Sequence, residues 1–365
     1  MKHPVLMIPG PTNLSEDVLR VLSEPMVGHT SPEFYEEFRD VHALTAKLFG
    51  SYPERTIVFS GSGTFGMEAL FSTFSKPGDR LLSIVNGYFG DRFAEIGSIY
   101  DLSVRTLRFS PGQEIDVDLV RKELERERYD FVTVTHIDTS TGMMNDVERV
   151  GEVVKSYNAF YVVDMVSSMG CVDYRFREDL YDYVFTASQK CVGAPPGAVM
   201  LAFSQDLYEK RRDVKSRSYY FDLKRWMQVM RDPTIYLSTP NVLTLRALRI
   251  ALKEVFEEGL EVKIRRHREM GELAFRFVSE RGWRPLSNRP SPSVIAFDVG
   301  APVAREVKSE MYRKGILIAT GISDPTNRIL RVGYMGTTTK ELLLNTLRRI
   351  EETVSEVVGR LGSSQ

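Results

Sequence analysis

The sequence predicts an α/β protein: a three-layer αβα large domain around a mostly parallel seven-stranded sheet, with a smaller α+β domain attached at its C-terminal side. Three observations carry that expectation. From about residue 55 to 204, short β-rich runs alternate with amphipathic stretches, the pattern of βαβ units wound around a parallel sheet. The chain has 365 residues, more than one hydrophobic core usually serves, so two domains are expected. Beyond residue 281 the pattern changes to strand, helix, strand, strand and helix, an α+β unit of its own. The corresponding boundaries are 15–256 for the large domain, with 1–14 and 257–365 forming the small one.

In chain order, Ser31 caps a helix that runs to residue 48 and stops at Gly50, with Asp and Glu crowded in its first half. Strands are expected at 56–60, 81–86, 104–109, 131–135, 160–164, 183–187 and 198–203. Among them, Tyr161-Val162-Val163 and Tyr183-Val184-Phe185-Thr186-Ala187 run without alternation, as strands buried on both faces do. Helices at 65–75, 88–98, 116–126 and 146–157 supply the crossovers. Pro240 begins a long helical region to 281, rich in Arg and Glu at spacings that form ion pairs. Within it Lys263-Ile264-Arg265-Arg266-His267-Arg268 reads as a solvated face, given Glu261 and Glu269. The small domain is expected to hold strands at 294–299, 316–319 and 329–332, with helices at 304–314 and 339–359.

Bulk properties narrow the partners. Lys plus Arg number 48 against 49 for Asp plus Glu, a net charge of -1, so no general attraction to nucleic acid or to an anionic membrane follows. The apolar run Val5-Leu6-Met7-Ile8 is too short for a signal peptide, and no later stretch could span a bilayer. Two cysteines, Cys171 and Cys191, make neither a disulfide framework nor a metal-ligand cluster, so no metal is expected. A reducing cytoplasm is the expected location.

The chemistry lies at strand ends. Asp164 closes the strand at 160–164, and Lys190 follows the strand at 183–187 in Ser188-Gln189-Lys190. In open α/β sheets ligands bind outside the carboxyl ends of the strands, so both groups face one crevice. An aldehyde cofactor with a basic ring nitrogen needs that pair, an amine to condense with and a carboxylate to hold the ring protonated. Pyridoxal phosphate fits the description. Upstream, Gly61-Ser62-Gly63-Thr64-Phe65-Gly66 follows a strand and opens a helix, where free N–H groups and the helix dipole suit one phosphate. The same glycines satisfy a dinucleotide fingerprint, which keeps a nicotinamide-dependent oxidoreductase as the rival from another class. That rival wants an acidic residue at the end of the next strand, which here ends in Val85-Asn86, with Asp79 before it. Phe89 can stack on a flat ring, the hydroxyls of Thr135-His136-Ile137-Asp138-Thr139-Ser140-Thr141-Gly142 suit a phenolic oxygen and a phosphate, and His136 reads as structural. Arg331 can fork onto a substrate carboxylate, with Arg328 as its competitor.

With these residues in hand, the chain resembles the class V aminotransferases of pyridoxal phosphate fold type I, especially the alanine–glyoxylate and serine–pyruvate group. The resemblance runs through Pro9-Gly10-Pro11-Thr12-Asn13, Gly28-His29-Thr30-Ser31-Pro32-Glu33-Phe34, Gly61-Ser62-Gly63-Thr64, Asn86-Gly87-Tyr88-Phe89-Gly90, Thr139-Ser140-Thr141-Gly142, Asp164-Met165-Val166-Ser167-Ser168, Ser188-Gln189-Lys190 and Arg331-Val332-Gly333. It implies a homodimer with shared active sites. Lys190 matches the lysine that carries the cofactor, Asp164 the partner of its ring nitrogen, and Val166 a contact beneath the ring. Phe89 falls where many relatives place a stacking Trp, and Thr139 where many place a Ser near the phenolic oxygen. Ser62, Gly63, Thr64 and Gln189 would hold the phosphate, with Tyr236 and Thr239 reaching it from the other subunit. Arg331 matches the carboxylate clamp, and Gly10 and Asn13 lie where the substrate is bound. The implied activity moves the amino group of a small amino acid, serine or alanine, to pyruvate or glyoxylate by a ping-pong path. Rivals within the fold are phosphoserine or aminophosphonate transamination, β-elimination, and cysteine desulfuration. The last needs a mobile cysteine, and Cys171 and Cys191 sit instead beside the pocket.

Overall fold

The computed structural model describes residues 3–362. Its centre is a seven-stranded sheet in the order Thr56–Gly61, Gly197–Phe203, Tyr183–Ala187, Phe160–Asp164, Phe131–Thr135, Arg80–Val85, Ser103–Arg108. All seven predicted strands are present. Six run in one direction, and Gly197–Phe203 runs against both of its neighbours. The middle strands Phe131–Thr135, Phe160–Asp164 and Tyr183–Ala187 are buried along their whole length, because helices cover both faces of the sheet.

The crossover helices Gly63–Phe74, Tyr88–Ile99, Val117–Arg126 and Val147–Ser156 match the expected ones to within two residues at each end. Asp116 and Asp146 serve as side-chain N-caps of the last two. Ser31 caps Pro32–Phe49, which ends at Gly50 in the left-handed region (φ 64°), a conformation that costs glycine nothing.

Three local expectations need correction. The region from 240 to 281 is two helices, Val242–Glu258 and Leu260–Glu280, turned at Gly259 (φ 84°). The basic run from 263 is not a solvated face throughout, since Lys263 and His267 are buried and Lys263 Nζ donates to the Gly336 carbonyl at 3.2 Å. The strand expected at 316–319 is two short ones, Ile316–Leu317 and Ala319–Thr320, each in a different sheet.

Two large hydrophobic cores result, with a third, small cluster of Ile137, Cys171, Cys191, Val294 and Met335. One draws its buried residues from Val18 to Val255, and the other joins Met7 to side chains between Met270 and Val357. The second core lies under a four-stranded antiparallel sheet in the order Arg284–Pro285, Val294–Asp298, Ile329–Gly333, Ala319–Thr320. Val5–Leu6 pairs in parallel with Ile316–Leu317, and Gly333 N–H donates to the Met7 carbonyl at 3.0 Å. Residues 7–13 are thereby laid back toward the edge of the large sheet. Among the described residues no helix is long and apolar enough to cross a membrane.

Candidate active site

Asp164 ends its strand directly opposite Thr135 on one side and Phe185 on the other, so it sits at the carboxyl edge near the middle of the sheet. Its side chain is 4% exposed, and Oδ1 accepts a hydrogen bond from Val166 N at 2.8 Å. Oδ2 has no hydrogen-bond partner among the described residues. Burial pushes the carboxyl up to about 7; the Val166 N–H pulls it back, Asp138 raises it further, and Lys190 and Arg92 lower it. Among the described residues no cation hydrogen-bonds to this buried carboxylate.

Lys190 lies in the turn that follows Tyr183–Ala187, and its Nζ donates to the Pro9 carbonyl. Burial lowers its amine to about 8, helped by the Arg331 charge and opposed by Cys191 and Asp164. Asp164 ends one strand and Lys190 follows the end of the strand paired beside it in parallel, so both stand at the same carboxyl edge, and each acts on the other's charge. Gly10, in the left-handed region at φ 94°, crosses directly over the lysine, and a Cβ there would stand 2.6 Å from Lys190 Cδ and 2.7 Å from Nζ. Gly10→Ala is expected to displace Lys190 and cut turnover by roughly 100-fold, the scale of a misplaced reacting group, with the melting temperature lowered by backbone strain; steady-state kinetics beside a thermal scan would show it.

At the neighbouring strand ends, Ser62 begins the helix Gly63–Phe74 without using its hydroxyl as a cap. Gly63 packs on Val166, and a Cβ would come within 2.8 Å of Val166 Cγ2, so only glycine lets this helix start so close to the Asp164 loop. Thr64 Oγ1 accepts from Arg92 Nη1 at 3.3 Å, and the Arg92 guanidinium lies 4.8 Å from the Phe89 ring centroid. Gln189 Oε1 is buried with no partner among the described residues. An N-terminal helix end against Val166, an unused hydroxyl, an arginine that acts on the Asp164 charge and an aromatic ring beside that arginine stand at this end of the sheet. The set suits a flat ligand with a cationic ring nitrogen and an anionic tail.

Arg331 stands on Ile329–Gly333 and is anchored by two backbone carbonyls, with Nε donating to Thr320 O at 2.8 Å and Nη1 to Thr139 O at 2.9 Å. Its Nη2 donates to nothing among the described residues, leaving a fork for a carboxylate. Arg328, its competitor in the sequence, is committed to Asp298 at 3.0 Å. Thr139 is buried in the same turn.

Other expected residues fall elsewhere. The Asn13 amide is spent on the backbone, accepting from Leu6 N at 2.9 Å and donating to Leu6 O at 2.8 Å, so it fixes the segment that carries Gly10. Tyr236 and Thr239 bond each other at 3.2 Å on an exposed loop, where Tyr236 packs beside His29. Neither has a contact to Lys190 or Asp164 in its own chain. His136 is buried, and burial lowers it to about 4, which keeps the ring neutral.

One central residue escaped the sequence reading. Asp138 is fully buried; Oδ2 accepts from Phe89 N at 2.9 Å, and Oδ1 accepts from the N–H of Ser140 at 2.8 Å and from its hydroxyl. It fastens the start of the Phe89 helix to the Thr139 turn, and a Cβ at Gly87 would collide with its carboxylate at 2.2 Å. The clue lay in Gly87 and in an acid amid hydroxyls, but no spacing rule joins residues 49 positions apart. Asp138→Asn turns an N–H toward one of these donors and is expected to cost about 1–3 kcal/mol, read as a lower denaturant midpoint.

Comparison with known proteins agrees with this geometry. Residues 12–336 match the aminotransferase class-V family. Alanine–glyoxylate aminotransferase 1 of Saccharomyces cerevisiae is 34% identical over 360 residues, spanning 91% of this chain and 92% of that one. Among solved structures, the ureidoglycine–glyoxylate aminotransferase of Bacillus subtilis superposes with a TM-score of 0.91 at 26% identity, covering 98% of this chain and 94% of that one. An alanine–glyoxylate aminotransferase from Nostoc sp. gives 0.91 at 27%, covering 97% and 96%. The fold is that of the fold type I aminotransferases, and the chain belongs to the class V aminotransferase family.

Proposed function

We propose that this aminotransferase binds pyridoxal phosphate at the Asp164–Lys190 edge and moves the amino group of a small amino acid, serine or alanine, to pyruvate or glyoxylate. The observation that carries the reading is the placing of Asp164 and Lys190 at the carboxyl ends of two adjacent parallel strands, with an anchored, half-free Arg331 held on the Thr139 turn. When bound, the cofactor supplies an aldehyde that condenses with amines and a protonated ring that withdraws electrons from the α-carbon. Ser62, Gly63, Thr64 and Gln189 would hold its phosphate, Phe89 and Val166 would flank the ring, and the Asp164 carboxylate would keep the ring nitrogen protonated. Arg331 binds the substrate carboxylate through Nη2 and so fixes which face of the α-carbon meets Lys190. Nζ, with its affinity lowered to about 8, takes a proton from carbon and returns it near neutral pH. The names of the relatives from yeast and Nostoc, both alanine–glyoxylate aminotransferases, support small donors and a glyoxylate acceptor.

A homodimer with shared sites is part of the proposal. Tyr236 is 65% exposed, and Met26, Tyr88, Tyr219 and Ile235 are exposed apolar side chains of the kind an interface covers. In a dimer, Tyr236 and Thr239 reach the phosphate of the other subunit. The test is a screen: small amino acids added one at a time to the cofactor-loaded protein, with the visible band followed, then 2-oxo acids added to restore it. Alanine or serine should bleach the band and glyoxylate or pyruvate should bring it back; bleaching by none of these donors would refute the substrate assignment.

A further inference from the structure

The chain's two cysteines stand 20 positions apart and meet, with Cys171 Sγ 2.6 Å from Cys191 Sγ and both side chains buried. Their places are functional ones. Cys191 directly follows Lys190, and Cys171 closes the loop that leaves Asp164 through Val166 and Ser167. Both sulfurs also rest on the same carbonyl, Ser167 O, at 3.6 and 3.5 Å. Sulfurs in contact form a disulfide once the two side chains reach its geometry, about 2.05 Å between sulfurs.

We propose that Cys171 and Cys191 form an oxidisable dithiol that closes to a disulfide, stapling the Asp164 loop to the Lys190 turn. The oxidant is a small peroxide, hydrogen peroxide in the simplest instance. One sulfur forms an S–O bond as the peroxide O–O bond breaks and water leaves, giving a sulfenic acid. The second sulfur attacks the first, the S–S bond forms, the S–O bond breaks, and the departing hydroxide takes the second thiol's proton as water. In total two thiols and one peroxide give one disulfide and two waters, the two electrons from sulfur reducing the peroxide oxygens. Burial and the adjoining Cys191 push the Cys171 thiol well above its ordinary value, and Lys263 and Arg266 pull it partly back.

The staple acts on stability and leaves the chemistry in place, because the sulfurs already touch before the bond forms. Closing a 20-residue loop restricts the unfolded chain, and in a protein of this size that raises the unfolding temperature by roughly 5 °C. In a reducing compartment the pair stays a dithiol.

The experiment compares cofactor-loaded protein kept in dithiothreitol without air with the same protein treated with stoichiometric hydrogen peroxide. Each sample is denatured in iodoacetamide, weighed intact, and scanned for thermal unfolding and transaminase turnover. Expected are two alkylated thiols in the reduced sample and none in the oxidised one, a midpoint higher by roughly 5 °C, turnover equal within about two-fold, and full reversal by dithiothreitol. Cys171→Ser should erase the difference between the two samples, and the wild-type comparison stands if that variant does not fold. Two alkylated thiols after peroxide, oxygen added to sulfur without a bridge, or a bridge that leaves the midpoint unmoved would each overturn the proposal.

Discussion

Lys190→Ala is expected to lower turnover by at least about 10⁴-fold while the chain still folds, because it removes both the covalent anchor and the group that shuttles the α-proton. The fold should survive because the lysine is costly where it stands. Its folded affinity, about 8, lies below the ordinary 10.5, so the unliganded protein bears the penalty of a buried ammonium below pH 8 and sheds it as the pH climbs from 8 toward 10.5. The variant should therefore match or exceed the wild type in thermal stability at pH 7. The same shift sets the pH dependence of the wild type, whose rate should rise as Nζ loses its proton through about pH 8. Circular dichroism, a melting curve and a coupled transaminase assay read all three. A variant that retains turnover would remove Lys190 from the chemistry.

The second large effect is at Asp164, where replacement by alanine should cost on the order of 3 kcal/mol or more in transition-state stabilisation, the scale of losing one preorganised electrostatic partner. Asp164→Asn separates charge from shape. Its carboxyl titrates near 3.8 in the unfolded chain and about 7 in the folded one, so the folded state binds the extra proton. The stability cost of ionising the wild type is therefore absent below about pH 4, grows between 4 and 7, and is complete above 7. Without cofactor, Asp164→Asn should be the more stable protein at pH 8, by up to about 4 kcal/mol, and equal to wild type near pH 4. Addition of pyridoxal phosphate should narrow or reverse that gap, because only the carboxylate gains a cationic partner. A variant with lower stability than wild type at pH 8 in the absence of cofactor, or with normal turnover, would contradict this role.

The contrast between what was legible in the sequence and what was not has a physical basis. The three middle strands were readable because a strand buried on both faces must be apolar along its length, and Asp164 and Lys190 stood out because a charge at or just past the end of such a run has no structural reason to be there. The helices Gln205–Arg211 and Leu223–Arg231 were missed because 7 and 9 residues are too few to display a period, although Ser204 and Asp222 announce them as caps. Gly259 was passed over inside a continuous helical pattern, and its left-handed backbone divides the region in two. Lys263 and His267 were misread because Arg265 and Arg268 in the same run are exposed, while the burial of Lys263 depends on the Gly336 carbonyl 73 positions away. Asp138 and Arg92 act through partners on helices distant in sequence, and Asn13 through a short backbone loop, so none of these roles carries a local signature. The places of Tyr236 and Thr239 in the site rest on family resemblance, since each closes on the other within its own chain.

The most direct test is chemical capture. Protein loaded with pyridoxal phosphate is reduced with borohydride, digested, and mapped by mass spectrometry for the lysine that carries the cofactor. A single modification on the peptide containing Lys190 is the expected result. Modification of another lysine, such as the buried Lys263, or none at all in protein that turns over, would contradict it.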